Sequence, residues 1–167
     1  MDESHNINTE QLSTYLNDHL AGSVAALELI EYLAKKYPDS TLETFFAELH
    51  ADVSADQDVL RDLIHTFGGK ESAVRKAGAW IAEKLGRAKL NLGEHEVTGV
   101  GLLEALEGLV IGITGKQLLW RALSSAAKRW QQLQGLDYVA LEQRAATQRE
   151  RVEEKRLAAA KTAFTQL

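Results

Sequence analysis

Apolar residues recur along the chain at three- and four-residue spacing, and this pattern predicts an all-α bundle of about five helices. The first predicted helix runs from about Thr9 to Tyr37, with its apolar stripe at Leu12, Leu16, Ser23, Leu27, Ile30 and Ala34. Asn8 or Thr9 can cap it, and Pro38, which lacks the N–H and clashes with the preceding turn, forbids its continuation. The second begins at Ser40. In Ser40-Thr41-Leu42-Glu43 a hydroxyl and a carboxylate each answer an orphan backbone N–H, the pattern of a capping box. Its stripe extends from Leu42 to Phe67, and Gly68-Gly69 end it, since glycine takes the left-handed conformation at little cost. The linker around Pro38 is so short that the two helices must form an antiparallel hairpin.

A third helix is predicted over about Glu71 to Leu92, apolar at Val74, Ala77, Ile81, Leu85 and Ala88 and otherwise basic. The fourth, from near Thr98 to Leu123, is apolar nearly all round, which predicts a buried central helix. Its glycines Gly108, Gly112 and Gly115 suit close approach of neighbours, at a cost in helix propensity. The fifth starts at Tyr138, behind a capping Asp137, and differs in kind. Its stripe is narrow (Leu141, Ala145, Val152, Ala159, Ala163) and the rest is dense in Arg, Lys, Glu and Gln. So narrow a stripe predicts that about Val152 to Leu167 pairs with another subunit or projects from the bundle. The 167 residues make one domain, 1–167, with 136–167 as a polar C-terminal helix.

Composition narrows the chemistry. With 45% hydrophobic residues there is material for a real core, and a single proline argues against a loop-rich all-β fold. The absence of cysteine excludes disulfides, thiol catalysis, iron–sulfur clusters and zinc–thiolate sites. A net charge of -5 repels phosphate backbones on average, so nucleic acid is a poor partner. The polar start, Met1 to Asn8, is not a signal peptide, and Leu102 to Ile113 is too short and too charged to span a bilayer. These features predict a cytoplasmic protein with no membrane partner.

The sharpest chemical signal is a carboxylate where a leucine belongs. Asp56 lies at the centre of the second helix's apolar face, among Leu49, Val53, Leu60 and Leu63, with Asp52 one turn earlier. His19 lies on the inner face of the first helix, and counting outward from the Pro38 turn places it within about a turn of Asp56. Glu107 sits among Leu103, Leu106, Val110 and Ile111, with Lys116 and Gln117 further along. His19, Asp52, Asp56 and Glu107 are therefore candidates for one polar pocket. Imidazole with carboxylates suits Fe, Mn or Zn, and bundle cores place such ligands on facing helices. A satisfied buried ion pair that fixes helix register explains the same residues without a ligand. Asp62-x-x-His65 has ligand spacing but points away from the stripe, and His5, His50, His95, Glu28 and Glu31 fall in polar segments or at stripe edges. Trp80, Trp120 and Trp130 read as core packing rather than as a base-stacking surface.

Asp18-His19-Leu20-Ala21-Gly22 and Ala26-Leu27-Glu28-Leu29, followed by the capped second helix, resemble the bacterial ferritin-like proteins. So does Leu106-Glu107-Gly108-Leu109 with Gly115-Lys116 and Leu119-Trp120. The resemblance implies a ferritin-like antiparallel bundle in which Glu107 matches a bridging glutamate and Asp52 and Asp56 the acidic part of the second helix. Ferritin-like di-iron proteins add Glu-x-x-His from two helices, and this chain contains no such tetrad. The expectation is thus a non-catalytic ferritin-like bundle acting through a protein partner or as a homo-oligomer. The alternative is a metal-binding protein or di-metal oxidoreductase with an atypical His/carboxylate site.

Overall fold

The computed structural model describes residues 3–69 and 99–165, and among these the chain is helical, with no strand. Its elements are α1 (Glu3–Lys36), α2 (Thr41–Thr66), α3 (Gly99–Ala126) and α4 (Tyr138–Thr165), with a 3-10 turn over Gln131–Leu133. α3 and α4 are the fourth and fifth helices expected from the sequence. The third expected helix, with Trp80 and the His95 loop, lies outside the described residues.

Local chemistry sets the boundaries. α1 starts at Glu3 instead of Thr9, since nothing in Glu3–Asn8 is proline or glycine. At the hairpin, the Glu43 N–H donates to Ser40 Oγ at 3.2 Å, as a capping box requires. The reciprocal bond comes from one residue earlier: the Asp39 N–H donates to Glu43 Oε2 at 2.6 Å, Asp39 itself having φ 54°. α2 ends where Gly68 turns to φ 68°, its N–H donating to the His65 carbonyl. Gly69 follows so close to α1 that a Cβ there would lie 2.9 Å from Ser13 Oγ. Asp137 caps α4 as expected, its Oδ1 accepting from the Ala140 N–H at 2.9 Å.

Side-chain pairs fix the helix directions. Gln57 meets Ser23, and Gly69 approaches Ser13, so α1 and α2 are antiparallel. Along α4, Gln148 reaches Asp56, Arg151 reaches Asp52 and Glu48, and Lys155 lies over the Phe45 ring. α4 therefore descends as α2 rises. Along α3, Glu107 meets Arg156, Lys116 meets Gln148, and Arg121 meets Glu142, so α3 and α4 are also antiparallel. It follows that α2 and α3 run parallel. The end of α2 and the start of α3 lie at opposite ends of the bundle, while the far end of α3 returns to α2, with the Trp130 ring edge-on to Phe67.

The core runs the length of this bundle. Leu16, Leu20, Ile30 and Leu33 of α1, Phe46, Leu49 and Ile64 of α2, and Leu106, Leu109, Leu119 and Trp120 of α3 are all buried. Two expectations are corrected here. α3 is not buried all round: Val100, Ile111 and Leu118 are exposed, because α1 and α4 cover only part of its circumference. Nor does α4 project. Leu141, Ala145, Val152 and Ala159 are buried along nearly its whole length. The narrow stripe suffices because α3 lies against all of it and cross-helix ion pairs flank the contact.

Candidate functional site

Asp56 is 2% exposed at the middle of the bundle. A carboxylate there costs several kcal/mol unless other groups meet it. Three side chains do. Lys116 Nζ, from α3, lies 2.5 Å from Asp56 Oδ2. The Gln148 side-chain amide, from α4, donates to the same oxygen at 3.0 Å. The Arg144 guanidinium, also from α4, pairs with Oδ1. Lys116 in turn donates to Gln148 Oε1, so the cluster ties α2, α3 and α4 at one level. Beside it, Gln57 donates to Ser23 Oγ at 2.8 Å and Ser23 to the Leu20 carbonyl at 2.7 Å, which carries the polar layer to α1.

Burial holds the Lys116 ammonium below the usual lysine range, against the opposing pull of Asp56. Two cations face one carboxylate, since the neighbouring Asp52 is bonded to Arg151 Nη1 at 2.7 Å. Arg151 also holds Glu48, so the wider network of three cations and three carboxylates balances in charge.

A cavity of about 220 Å³ lies against this layer, between α1, α2 and α3. Gly22 and Ala26 of α1, Val53 and Leu60 of α2, and Leu109, Gly112, Ile113, Gly115 and Leu119 of α3 give it apolar walls. Its polar lining includes Asp18, His19, Asp56, Gln57 and Lys116. Trp120 lines it too. The indole Nε1 is buried and has no hydrogen-bond partner among the described residues.

The four residues expected to share a pocket do not converge. His19 and Asp56 line the same cavity, yet no hydrogen bond joins them. His19 is half-buried, edge-on to Tyr15 at 4.7 Å between ring centroids, and burial lowers its pKa. Lys116 displaces it as the partner of Asp56 because an ammonium carries the full charge that a desolvated imidazole gives up. Asp52 is 38% exposed and belongs to an outer pair with Arg151. Glu107, expected to be buried, has a side chain 48% exposed and pairs with Arg156 Nη1 at 3.3 Å. It lies on the outward side of α3, where the apolar sequence around it gives no hint of direction. Among the described residues no group of three or more His, Asp or Glu side chains is placed to hold a metal ion. Asp62 and His65 are exposed, as expected.

Arg144 and Gln148 were missed in the sequence because the charged run of α4 reads as a solvated face. One signal was available. Position 148 lies three residues after Ala145 and four before Val152, so a glutamine sits inside the narrow apolar stripe.

Comparison with known proteins yields no match to a protein-family model, a curated protein or a solved structure. Among the described residues, no helix is long and apolar enough to cross a membrane.

Proposed function

We propose that the chain is a non-catalytic, ferritin-like helical bundle that works by association, with a second copy of itself as its partner. The ferritin-like reading is supported by the topology. Two antiparallel pairs stand with α2 and α3 parallel, the relation between second and third helices that separates ferritin-like bundles from simple up-down ones. The non-catalytic reading is supported by the state of the carboxylates. Asp56, Asp52 and Glu107 are each committed to a lysine or arginine, so none stands ready as an acid, base or ligand.

The observation that carries the association reading is the outward face of α3. Ile111 is 72% exposed, Leu118 55% and Val100 40%. At 100° per residue the three fall within about 20° of one line, roughly 27 Å long. Glu107, paired with Arg156, falls on the same line between Val100 and Ile111, so the strip is apolar but for one ion pair. An antiparallel second α3 about a twofold axis sets Val100 against Leu118, with Ile111 close to the axis, an isologous contact of the kind that closes a dimer. The net charge of -5 opposes self-association and is screened by salt, so dimerisation strengthens as ionic strength rises.

Sedimentation velocity over a range of protein and salt concentrations tests this. The full chain is expected to sediment as a dimer, and the Ile111→Glu/Leu118→Glu variant as a folded monomer. These exposed positions carry no core packing, so the variant keeps its circular dichroism. A monomeric full chain at high protein and high salt overturns the reading.

A further inference from the structure

The cavity between α1, α2 and α3 is apolar over most of its depth and open on one side. Its walls include Ala26 and Ile30 of α1, Val53 and Leu60 of α2, and Leu109 and Ile113 of α3. The helices leave this space because α1 touches α3 far less than it touches α2. Gly22 and Gly112 also line it and are exposed, so they stand at its rim, and a Cβ on either would meet nothing within 4 Å. A small molecule therefore has a way in between α1 and α3. An apolar recess of this kind holds water poorly and takes up apolar molecules instead.

Nearly all of the polar lining is already spent. Asp56 and Lys116 neutralise each other, and Arg144 and Gln148 complete their bonding. Gln57 donates to Ser23, which donates in turn to a backbone carbonyl. Asp18 is exposed to water. His19 is different. Its ring lies edge-on to Tyr15, and among the described residues neither ring nitrogen has a hydrogen-bond partner. Burial keeps this imidazole neutral at about pH 7, with one N–H to give and one lone pair to accept with. A hydroxyl matches it, since it too both donates and accepts. A carboxylate offers only acceptors and an ammonium only donors. Either charged group would also leave water for a recess whose own charges are already paired, a loss that a single hydrogen bond does not repay. Along α1 the lining runs from His19 to Ile30, about 16 Å by the rise per residue, so a polar end and an apolar end are set apart.

We propose that this cavity binds a small uncharged alcohol with an apolar tail, the hydroxyl held by His19 and the tail lying along the walls towards Ile30. A cavity of about 150 Å³ admits benzene, so about 220 Å³ fits a molecule of about nine non-hydrogen atoms, the size of 1-octanol. The balanced charge of the Lys116–Arg144–Asp56 network sets the preference for a neutral ligand, and His19 sets the preference for a hydroxyl. This site does not depend on self-association.

The test titrates the full chain at about pH 8, where the His19 imidazole is neutral, with 1-octanol, octanoate and octylamine by calorimetry. It also follows the His19 ring peak in ¹H–¹³C spectra, assigned with His19→Leu. Octanol is expected to bind with a Kd on the order of 100 µM, to move the His19 peak, and to bind roughly tenfold more tightly than either charged analogue. His19→Leu is expected to keep the circular dichroism and to weaken octanol binding roughly fivefold, the loss of one hydrogen bond. Ala26→Phe, which fills the recess from α1, is expected to abolish binding. If that variant fails to fold, the charge series and the His19 peak decide. Octanoate or octylamine binding as tightly as octanol overturns the proposal. So does octanol binding that survives Ala26→Phe in a folded chain or is undiminished in His19→Leu, a His19 peak that stays in place, or no binding at all.

Discussion

Removing the Asp56 carboxylate is the most informative perturbation of the bundle. In Asp56→Ala, Lys116, whose side chain is only 15% exposed, keeps a single partner, the Gln148 amide oxygen, while Gln148 loses its acceptor. Arg144, 41% exposed, turns to water at little cost. The loss is therefore set mainly by an ammonium stranded in the interior, about 3–5 kcal/mol for breaking a buried pair from one side. Against a total stability of about 5–15 kcal/mol this is a large fraction. In a chain of this size it lowers Tm by roughly 6–20 °C. Chemical unfolding followed by circular dichroism measures it. A pH series identifies the cause. The stranded Lys116 has a folded-state pKa far below its unfolded value, so between the two the unfolded chain holds more protons and stability rises with pH. The deficit of Asp56→Ala should shrink from neutral pH towards pH 10, about the ordinary lysine pKa. Replacing the pair together, as Asp56→Leu/Lys116→Met, should restore much of the loss, since no charge is then left unmet. A deficit of Asp56→Ala under about 1 kcal/mol, or one that does not change with pH, refutes the argument.

Two further outcomes follow from packing and burial. Burial lowers the pKa of His19, so the unfolded chain binds more protons between that lowered value and 6.5, and stability falls as pH drops through this window; the fall in thermal midpoint below pH 6.5 should be smaller in His19→Gln. A chain truncated after Arg149 removes Val152 and Ala159 from the core and Arg151 and Arg156 from their pairs, so it should unfold at markedly lower denaturant than the full chain; an unchanged midpoint would mean that the end of α4 adds nothing.

Much of this architecture is fixed by the order of residues alone. Pro38 and the Ser40–Glu43 box set the hairpin, because a missing N–H and two local hydrogen bonds act over only four or five residues. Gly68 and Asp137 set helix ends for the same reason, and the periodicity of α2 places Asp56 inside, since one helix face is a property of one segment. What lay beyond the sequence was the choice among partners. Asp56 has His19, Lys116, Arg144 and Gln148 on three other helices to choose from, and which of them reaches it depends on the parallel alignment of α2 with α3 and the antiparallel course of α4. Glu107 shows the same limit from the other side: a helix that is apolar all round carries no phase, so only the position of α4 decides that this carboxylate faces Arg156 and water. The cavity, too, exists only in three dimensions. Three glycines and a tryptophan on two helices become a recess once packing sets how far apart those helices stand, and that distance is set by the large side chains elsewhere in the core.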